Sequence, residues 1–208
     1  MSKRTGLFAA ITLTTDLAGC AVATAPGYMG PDVQPTDATM RQQQYRGFSV
    51  HPPTSSGWTV RVSEQSALRA TYRLALPSKT HTFLASASLI RVDTKLPIEE
   101  ALVPSGLANA GRTQVLESSH QADYTRKTKC IRYSIHIRDT GAPNSPDAAL
   151  EMIDRGFVCA HPTMPGLAVR ASFSERGLPQ ELDPSLWAGF EQFLSGIQIE
   201  SAPGVPAA

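Results

Sequence analysis

Residues 129–138 read KCIRYSIHIR. In an extended chain Ile131, Tyr133, Ile135 and Ile137 point to one side, and Arg132, Ser134, His136 and Arg138 to the other. A period of two held over this length specifies a β-strand with an apolar face and a polar face. The strands around it are read outward from here. Residues 139–147 (DTGAPNSPD) carry turn chemistry. Residues 150–160 and 167–174 follow as two more strands, separated by His161-Pro162-Thr163-Met164-Pro165-Gly166. Upstream, residues 113–125 carry a weaker strand pattern, and residues 81–92 a longer one of small and apolar side chains. Ala70, Tyr72, Leu74 and Leu76 share one face before Pro77 ends the run, and Val60 and Val62 alternate with polar neighbours. Strands in such close succession build an antiparallel sheet.

Two segments interrupt the strands. Residues 93–111 read as helical, with Pro97 in the first turn and Glu99 and Glu100 near the positive helix end, until Pro104 and Gly106 break the pattern. The second helix starts with Asp183 as cap and Pro184 at the first helical position and runs to about Ser195. Leu186, Trp187, Phe190, Phe193, Leu194 and Ile197 form one stripe along it, which faces a core. The fold class expected is α+β, an antiparallel sheet flanked by helices, in a single domain over residues 47–200. A domain of that size buries about 70% of its extended-chain surface, enough for a true core. No internal repeat is present.

The ends of the chain read differently. Lys3 and Arg4 precede a short apolar run through Leu7, Phe8, Ala9, Ala10, Ile11 and Leu13. This run is far shorter than the ~20 residues of a spanning helix, and its layout is that of an export signal. It closes on Leu17-Ala18-Gly19-Cys20, which resembles the lipobox of bacterial lipoprotein precursors. Asp16 and three threonines (Thr12, Thr14 and Thr15) depart from that family's pattern by weakening the apolar run. The resemblance implies a signal peptide over residues 1–19, cleavage between Gly19 and Cys20, and diacylglyceryl attachment to the Cys20 sulfur. Two or three acyl chains, at ~0.8 kcal/mol per buried CH₂, would anchor the chain durably. Ala21 follows the cysteine; in two-membrane bacteria a residue other than Asp there implies transfer to the outer membrane, facing the periplasm. Residues 20–46, rich in Pro, Gly, Thr and Gln, read as the lipidated cysteine and a flexible tether with a reach of roughly 25–30 Å. Residues 201–208 (SAPGVPAA) read as a disordered tail.

Composition excludes several classes. With 41% hydrophobic and 18% charged residues, the chain is too apolar for disorder throughout. Removing residues 1–19 takes away Lys3, Arg4 and Asp16 and leaves 17 basic and 17 acidic residues, so nucleic acid is not an expected partner. Enzyme signatures such as G-x-S-x-G, H-E-x-x-H, S-x-x-K, G-x-G-x-x-G and the P-loop are missing, and no cofactor is expected. A catalytic triad of distant residues stays open, because such triads are recognised by geometry.

The order and length of these segments resemble the PsbP-like fold, an α/β/α sandwich. The residues that carry the resemblance are the opening Phe48…Pro52-Pro53…Gly57-Trp58, the run Leu96-Pro97-Ile98-Glu99-Glu100-Ala101-Leu102 after the long strand, and the closing Trp187…Phe193-Leu194. Gly156-Phe157-Val158-Cys159-Ala160-His161-Pro162, followed by Ser174-Glu175-Arg176-Gly177, is similar to segments of bacterial envelope lipoproteins. The resemblance covers most of residues 47–199 and supplies no catalytic residues. It implies a binding or assembly module.

Cys130 and Cys159 each lie on an expected strand, and export would place them in an oxidising compartment. A disulfide between them would close about 30 residues and add roughly 3–4 kcal/mol in the chain-entropy model. It requires Cα atoms within about 7 Å of each other. The rival is a metal site, since His136 and His161 share alternation parity with the two cysteines and would complete a zinc-type set. The same histidines are the candidates for a ligand-binding or hydrolytic pocket between sheet and helix, although His161-Pro162 also reads simply as a turn. His51, His81 and His120 read as solvated. Trp58 reads as a core anchor or a ligand-stacking ring, and the basic run Arg126-Lys127-Thr128-Lys129…Arg132 as a solvated hairpin face or an anion dock. The function expected is a lipid-anchored, non-enzymatic envelope protein that binds a protein partner. Cys20→Ala is expected to abolish signal cleavage and move the protein out of the membrane fraction. Normal processing and membrane retention of this variant would refute the lipid anchor.

Overall fold

The structure is a computed structural model and describes residues 32–37, 39–97, 112–142, 145 and 147–200. Its strands are β1 (Val33–Pro35), β2 (Gln43–Tyr45), β3 (Phe48–Val50), β4 (Trp58–Arg61), β5 (Arg69–Leu74), β6 (Thr82–Arg91), β7 (Thr113–Asp123), β8 (Cys130–Asp139), β9 (Leu150–Ala160), β10 (Leu167–Gly177) and β11 (Ile197–Ile199). A single α-helix among the described residues, α1 (Phe190–Ser195), precedes β11. Eight strands form one sheet in the order β1-β4-β5-β6-β10-β9-β8-β7, and three form a second in the order β11-β3-β2. Every pairing is antiparallel. The architecture is therefore a large antiparallel sheet with few helices.

The central strands bury side chains on both faces. On one face, Trp58, Val60, Tyr72, Phe83, Phe157, Val169 and Phe173 join Phe48 and Val50 of β3, Phe193 and Leu194 of α1, and Ile197 of β11. Ala70, Ala87 and Ala171 stand side by side in register across β5, β6 and β10. This row of small side chains leaves depth for the bulkier Phe48 and Val50 of the covering layer, both fully buried in the same cluster. On the other face, Ile131, Tyr133, Val158 and Ala168 form a second cluster, with Ile90, Val92, Ile135 and Ala160 against it. The alternation of residues 129–138 is thus realised in β8.

Two expectations need correction, and a third falls largely outside the described residues. Residues 33–45 are not wholly tether: β1 pairs with β4, and β2 pairs with β3. Strands of three residues are too short to show alternation, and Pro35 and the glutamines mask them further. The closing segment winds as a 3₁₀ turn over Pro184–Gly189 before α1 begins, and Ile197 belongs to β11 rather than to the helix. Asp183 does cap it, accepting the Ser185 N–H at 2.8 Å. Most of the helix expected over residues 93–111 lies outside the described residues. Its described start is an Asp93 turn, in which Oδ1 accepts the Lys95 N–H at 2.9 Å.

A buried carboxylate ties the closing segment to the sheet. Glu175 on β10 is 1% exposed and accepts three hydrogen bonds: from the Asp183 N–H at 2.7 Å, from Trp187 Nε1 at 2.7 Å and from His81 Nε2 at 2.9 Å. Both oxygens are satisfied, as a carboxylate removed from water requires. His81 was expected to be solvated, but this bond holds its side chain at 10% exposure.

Gly156 on β9 lies between Tyr133 of β8 and Ser172 of β10. A Cβ there would run into the Ala171 carbonyl oxygen and the Ser172 backbone. Gly156→Ala must therefore push strands apart and is expected to destabilise the fold by at least about 2 kcal/mol in urea unfolding. Gly189→Ala, where a Cβ meets nothing within 4 Å, is the control that should leave the midpoint unchanged.

Candidate functional site

A groove of about 770 Å³ opens between the loop over residues 51–57 and the closing segment. Trp58, Leu74, Phe173 and Phe193 line it from the sheet and α1, and Pro52, Pro53 and Leu186 extend the apolar lining. Hydroxyl and amide groups of Ser55, Ser185, Gln192 and Ser195 stand at its exposed rim. Among the described residues no Asp, Glu, Lys or Arg lines it.

Local chemistry explains the walls. Gly57, at φ +90°, turns the loop into β4, a conformation L side chains rarely adopt. The Gly57 carbonyl then accepts the Ala75 N–H at 2.9 Å. Thr36 secures the other end of the loop: its hydroxyl donates to the Pro53 carbonyl at 2.6 Å, and its N–H donates to the Trp58 carbonyl at 2.9 Å. Thr36 belongs to the segment read as tether, so sequence reasoning missed it, and nothing in its composition marked it. Trp58 is the core anchor that its place after Gly57 suggests. It is 4% exposed against Phe83 and Phe173, with ring centroids at 5.8 and 5.5 Å, and it also borders the groove.

Cys130 and Cys159 are directly opposite on β8 and β9 and form a disulfide, with Cα atoms 4.0 Å apart. The bridge closes the rival metal reading for these thiols. Nor does the fold bring His136 and His161 together. They lie at opposite ends of the β8–β9 ladder, on the order of 20 Å apart along the strands. His136 Nε2 meets Glu151 Oε2 at 2.9 Å, and Arg138 meets the other Glu151 oxygen at 2.8 Å. Those contacts, from Arg138 first and His136 second, hold the Glu151 carboxyl below the usual carboxylate range. His161 Nδ1 accepts the Thr163 and Met164 N–H groups at 3.3 and 3.2 Å, so the proton sits on Nε2, which donates to the Gly47 carbonyl at 3.0 Å. His161 therefore closes a turn and pins the β2–β3 hairpin, and neither histidine lines the groove. The pocket expected near them lies instead beside His51. Among the described residues no group of three or more His, Cys, Asp or Glu could hold a metal ion.

The two arginines of the basic run are engaged within the protein, while Lys127 and Lys129 are exposed. Arg126 stacks 3.8 Å over the Phe157 ring and donates to the Leu194 and Ile197 carbonyls at 2.7 and 3.3 Å, closing the C-terminal end of α1. Burial pulls its guanidinium below its ordinary value. Arg132 pairs with Asp123 at 3.2 Å and Glu191 at 2.7 Å. On the opposite face of the sheet, Arg170 bonds Asp154 and the Tyr133 hydroxyl, and burial pushes the Asp154 carboxyl up against the pull of Arg170. The arrangement in the groove can strip water from an apolar body and offer hydroxyl and amide partners at the rim. Among the described residues it pairs His51 with no carboxylate.

No protein-family model matches this chain, and no curated protein matches it in sequence. Several solved structures are similar in chain course, two of which follow. One is the Ran-binding protein Mog1p of Saccharomyces cerevisiae, with a TM-score of 0.47 and 11% identity over 76% of this chain and 94% of that one. The other is a mutant of Mog1, with a TM-score of 0.45 and 10% identity over 76% of this chain and 95% of that one. This is a distant structural likeness that transfers no residue roles.

Two measurements check the chemistry described here. Reduction of the disulfide is expected to lower stability by roughly 3–4 kcal/mol in urea unfolding. Asp139 tests the acid response: bonded by Arg112 at 2.6 Å and paired with Arg176 at 2.7 Å, its carboxyl lies below the usual range, with the Arg112 bond the main cause. A lowered folded-state value stabilises the fold above the usual carboxylate range, and that gain disappears as pH falls through the lowered value. Asp139→Asn should therefore flatten the loss of stability between about pH 5 and pH 2, measured by thermal unfolding across pH.

Proposed function

We propose that the protein is a lipid-anchored binding module of the cell envelope, and that the groove beside Trp58 is where it holds an uncharged, apolar part of an envelope protein partner. The groove carries this reading. It combines an aromatic lining, a rim of neutral hydrogen-bonding groups and, among the described residues, no Asp, Glu, Lys or Arg, the composition expected of a site that recognises apolar bodies rather than ions. Its volume falls within the range of small-molecule sites, which also favours a second reading, a small apolar ligand.

The address rests on the export signal and the lipobox. The disulfide is consistent with an oxidising compartment. Among the described residues no helix is long and apolar enough to cross a membrane, so in this reading the lipid on Cys20 supplies the attachment.

The uncharged dye N-phenyl-1-naphthylamine tests the groove. It should bind saturably with enhanced fluorescence, and Gly189→Phe, which places a ring in open space at the rim, should abolish that binding without lowering the unfolding midpoint. Equal dye binding by the variant and the parent would sink the assignment. A photo-crosslinker at Gln192 in intact cells then separates the two readings. A discrete protein adduct that disappears with Gly189→Phe supports a protein partner, and its absence alongside retained dye binding supports the small ligand.

A further inference from the structure

We infer that β7 is a docking edge for a second copy of this chain, which pairs with it antiparallel about a two-fold axis through Ser119.

β7 ends the large sheet, and among the described residues no strand lies along its outer side. It is 11 residues long, whereas β1 at the other edge has three. Every residue from Gln114 to Ala122 is exposed, so neither face of this stretch is covered. Val115 is 60% exposed. Edge strands are usually protected by Lys, Pro or a bulge. The sequence TQVLESSHQAD has no Lys, Arg or Pro, and its bulge lies only between Val115 and Glu117. The stretch beyond the bulge is a regular, open template.

The phase of the ladder shows which amides are available. The Ala160 N–H donates to the Lys129 carbonyl at 2.9 Å, so residues 129 and 160 are a bonded pair at the ends of β8 and β9. The next pair, Cys130 and Cys159, is then the non-bonded type, which fits its 4.0 Å Cα separation. The backbone groups of Cys130 must turn toward β7, where its partner is Asp123. On β7 it follows that Asp123, Gln121, Ser119 and Glu117 direct N–H and C=O inward to β8. Ser118, His120 and Ala122 direct theirs outward.

A second copy fits this edge in one register best. A two-fold axis normal to the sheet keeps the faces of both copies aligned, so outward residues must meet outward residues. An axis through Glu117 sets two carboxylates against each other, and one through His120 sets Glu117 against Asp123. An axis through Ser118 sets His120 against Leu116, whereas one through Ser119 sets Ala122 there. An axis through Ser119 sets Glu117 against Gln121 and Ser118 against His120, each twice, matching an acceptor with a donor at every polar pair. Ser118 and His120 of the two copies would exchange main-chain bonds, and the two Ser119 side chains would sit opposite in a non-bonded pair, with Cβ atoms about 4.5–5.5 Å apart.

That last contact makes the register testable on the full chain in detergent, with the parent chain alongside to account for Cys20. Ser119→Cys should form a covalent dimer on mild oxidation, about tenfold more than Gln121→Cys, whose two sulfurs would be too far apart to bond. His120→Pro removes an outward N–H that β8 does not use, and should give monomers by sedimentation velocity with the near-ultraviolet spectrum unchanged. If that variant unfolds, the Ser119→Cys comparison still decides. A parent chain that stays monomeric at every concentration tested overturns the inference, and so does a yield of covalent dimer from Gln121→Cys equal to that from Ser119→Cys.

Discussion

A carboxylate buried in a sheet has to be met by donors, and at Glu175 those donors organise the rest of the molecule. Its three partners come from β6's approach (His81), from the cap of the closing segment (the Asp183 amide) and from the aromatic face of that segment (the Trp187 indole). Removing a partner from such a group leaves a desolvated charge, so the closing segment cannot drift from the sheet without large cost. Held there, Trp187 packs edge-on against Phe83 at 5.4 Å, and Phe190 and Phe193 pack on Phe173. The wall of the groove formed by this segment follows from the same attachment.

The covering layer is secured at two further points. Arg126 closes the end of α1 from the β7–β8 turn, and its ring contact with Phe157 ties that closure to the large sheet. At the other end His161 and the Glu200 N–H both donate to the Gly47 carbonyl, at 3.0 Å each. Gly47 itself, at φ +80°, has room for no side chain, because Met164 and His161 crowd the position. Between these points Tyr72 and Tyr45 both donate to Gln43 Oε1, at 2.8 and 2.9 Å. Burial, reinforced by the neighbouring Tyr45, holds the Tyr72 hydroxyl above its ordinary value, so it remains a donor. A three-stranded sheet of three-residue strands would be marginal alone. Here its polar groups are paired and its apolar side chains share the core.

Much of the sheet could be read from the chain because alternation is local. β8, β9 and β10 begin within a residue of where Ile131–Ile137, Leu150 and Leu167 suggest, and two of these strands carry one cysteine each. The groove was less legible. His136 and His161 looked like a pair by parity, but parity specifies a face and not a position along it, and six residues of strand separate His136 from the cysteines. Thr36 and Gln43 gave no signal, since a hydroxyl or an amide matters only once a carbonyl or a phenol from a distant segment arrives beside it.

By itself, the amino-acid sequence determined the class of the fold, most strands of the large sheet (though not β1) and the capped start of the closing segment. Each depends on neighbours within a few residues, through alternation, capping or turn chemistry. Only the tertiary structure decided that Glu175 anchors that segment, that part of the expected tether belongs to the domain, that Cys130 meets Cys159, that the groove lies beside Trp58, and that among the described residues no strand lies outside β7. Those depend on which distant segments meet, and that is set by the joint burial of the two sheets rather than by any local pattern.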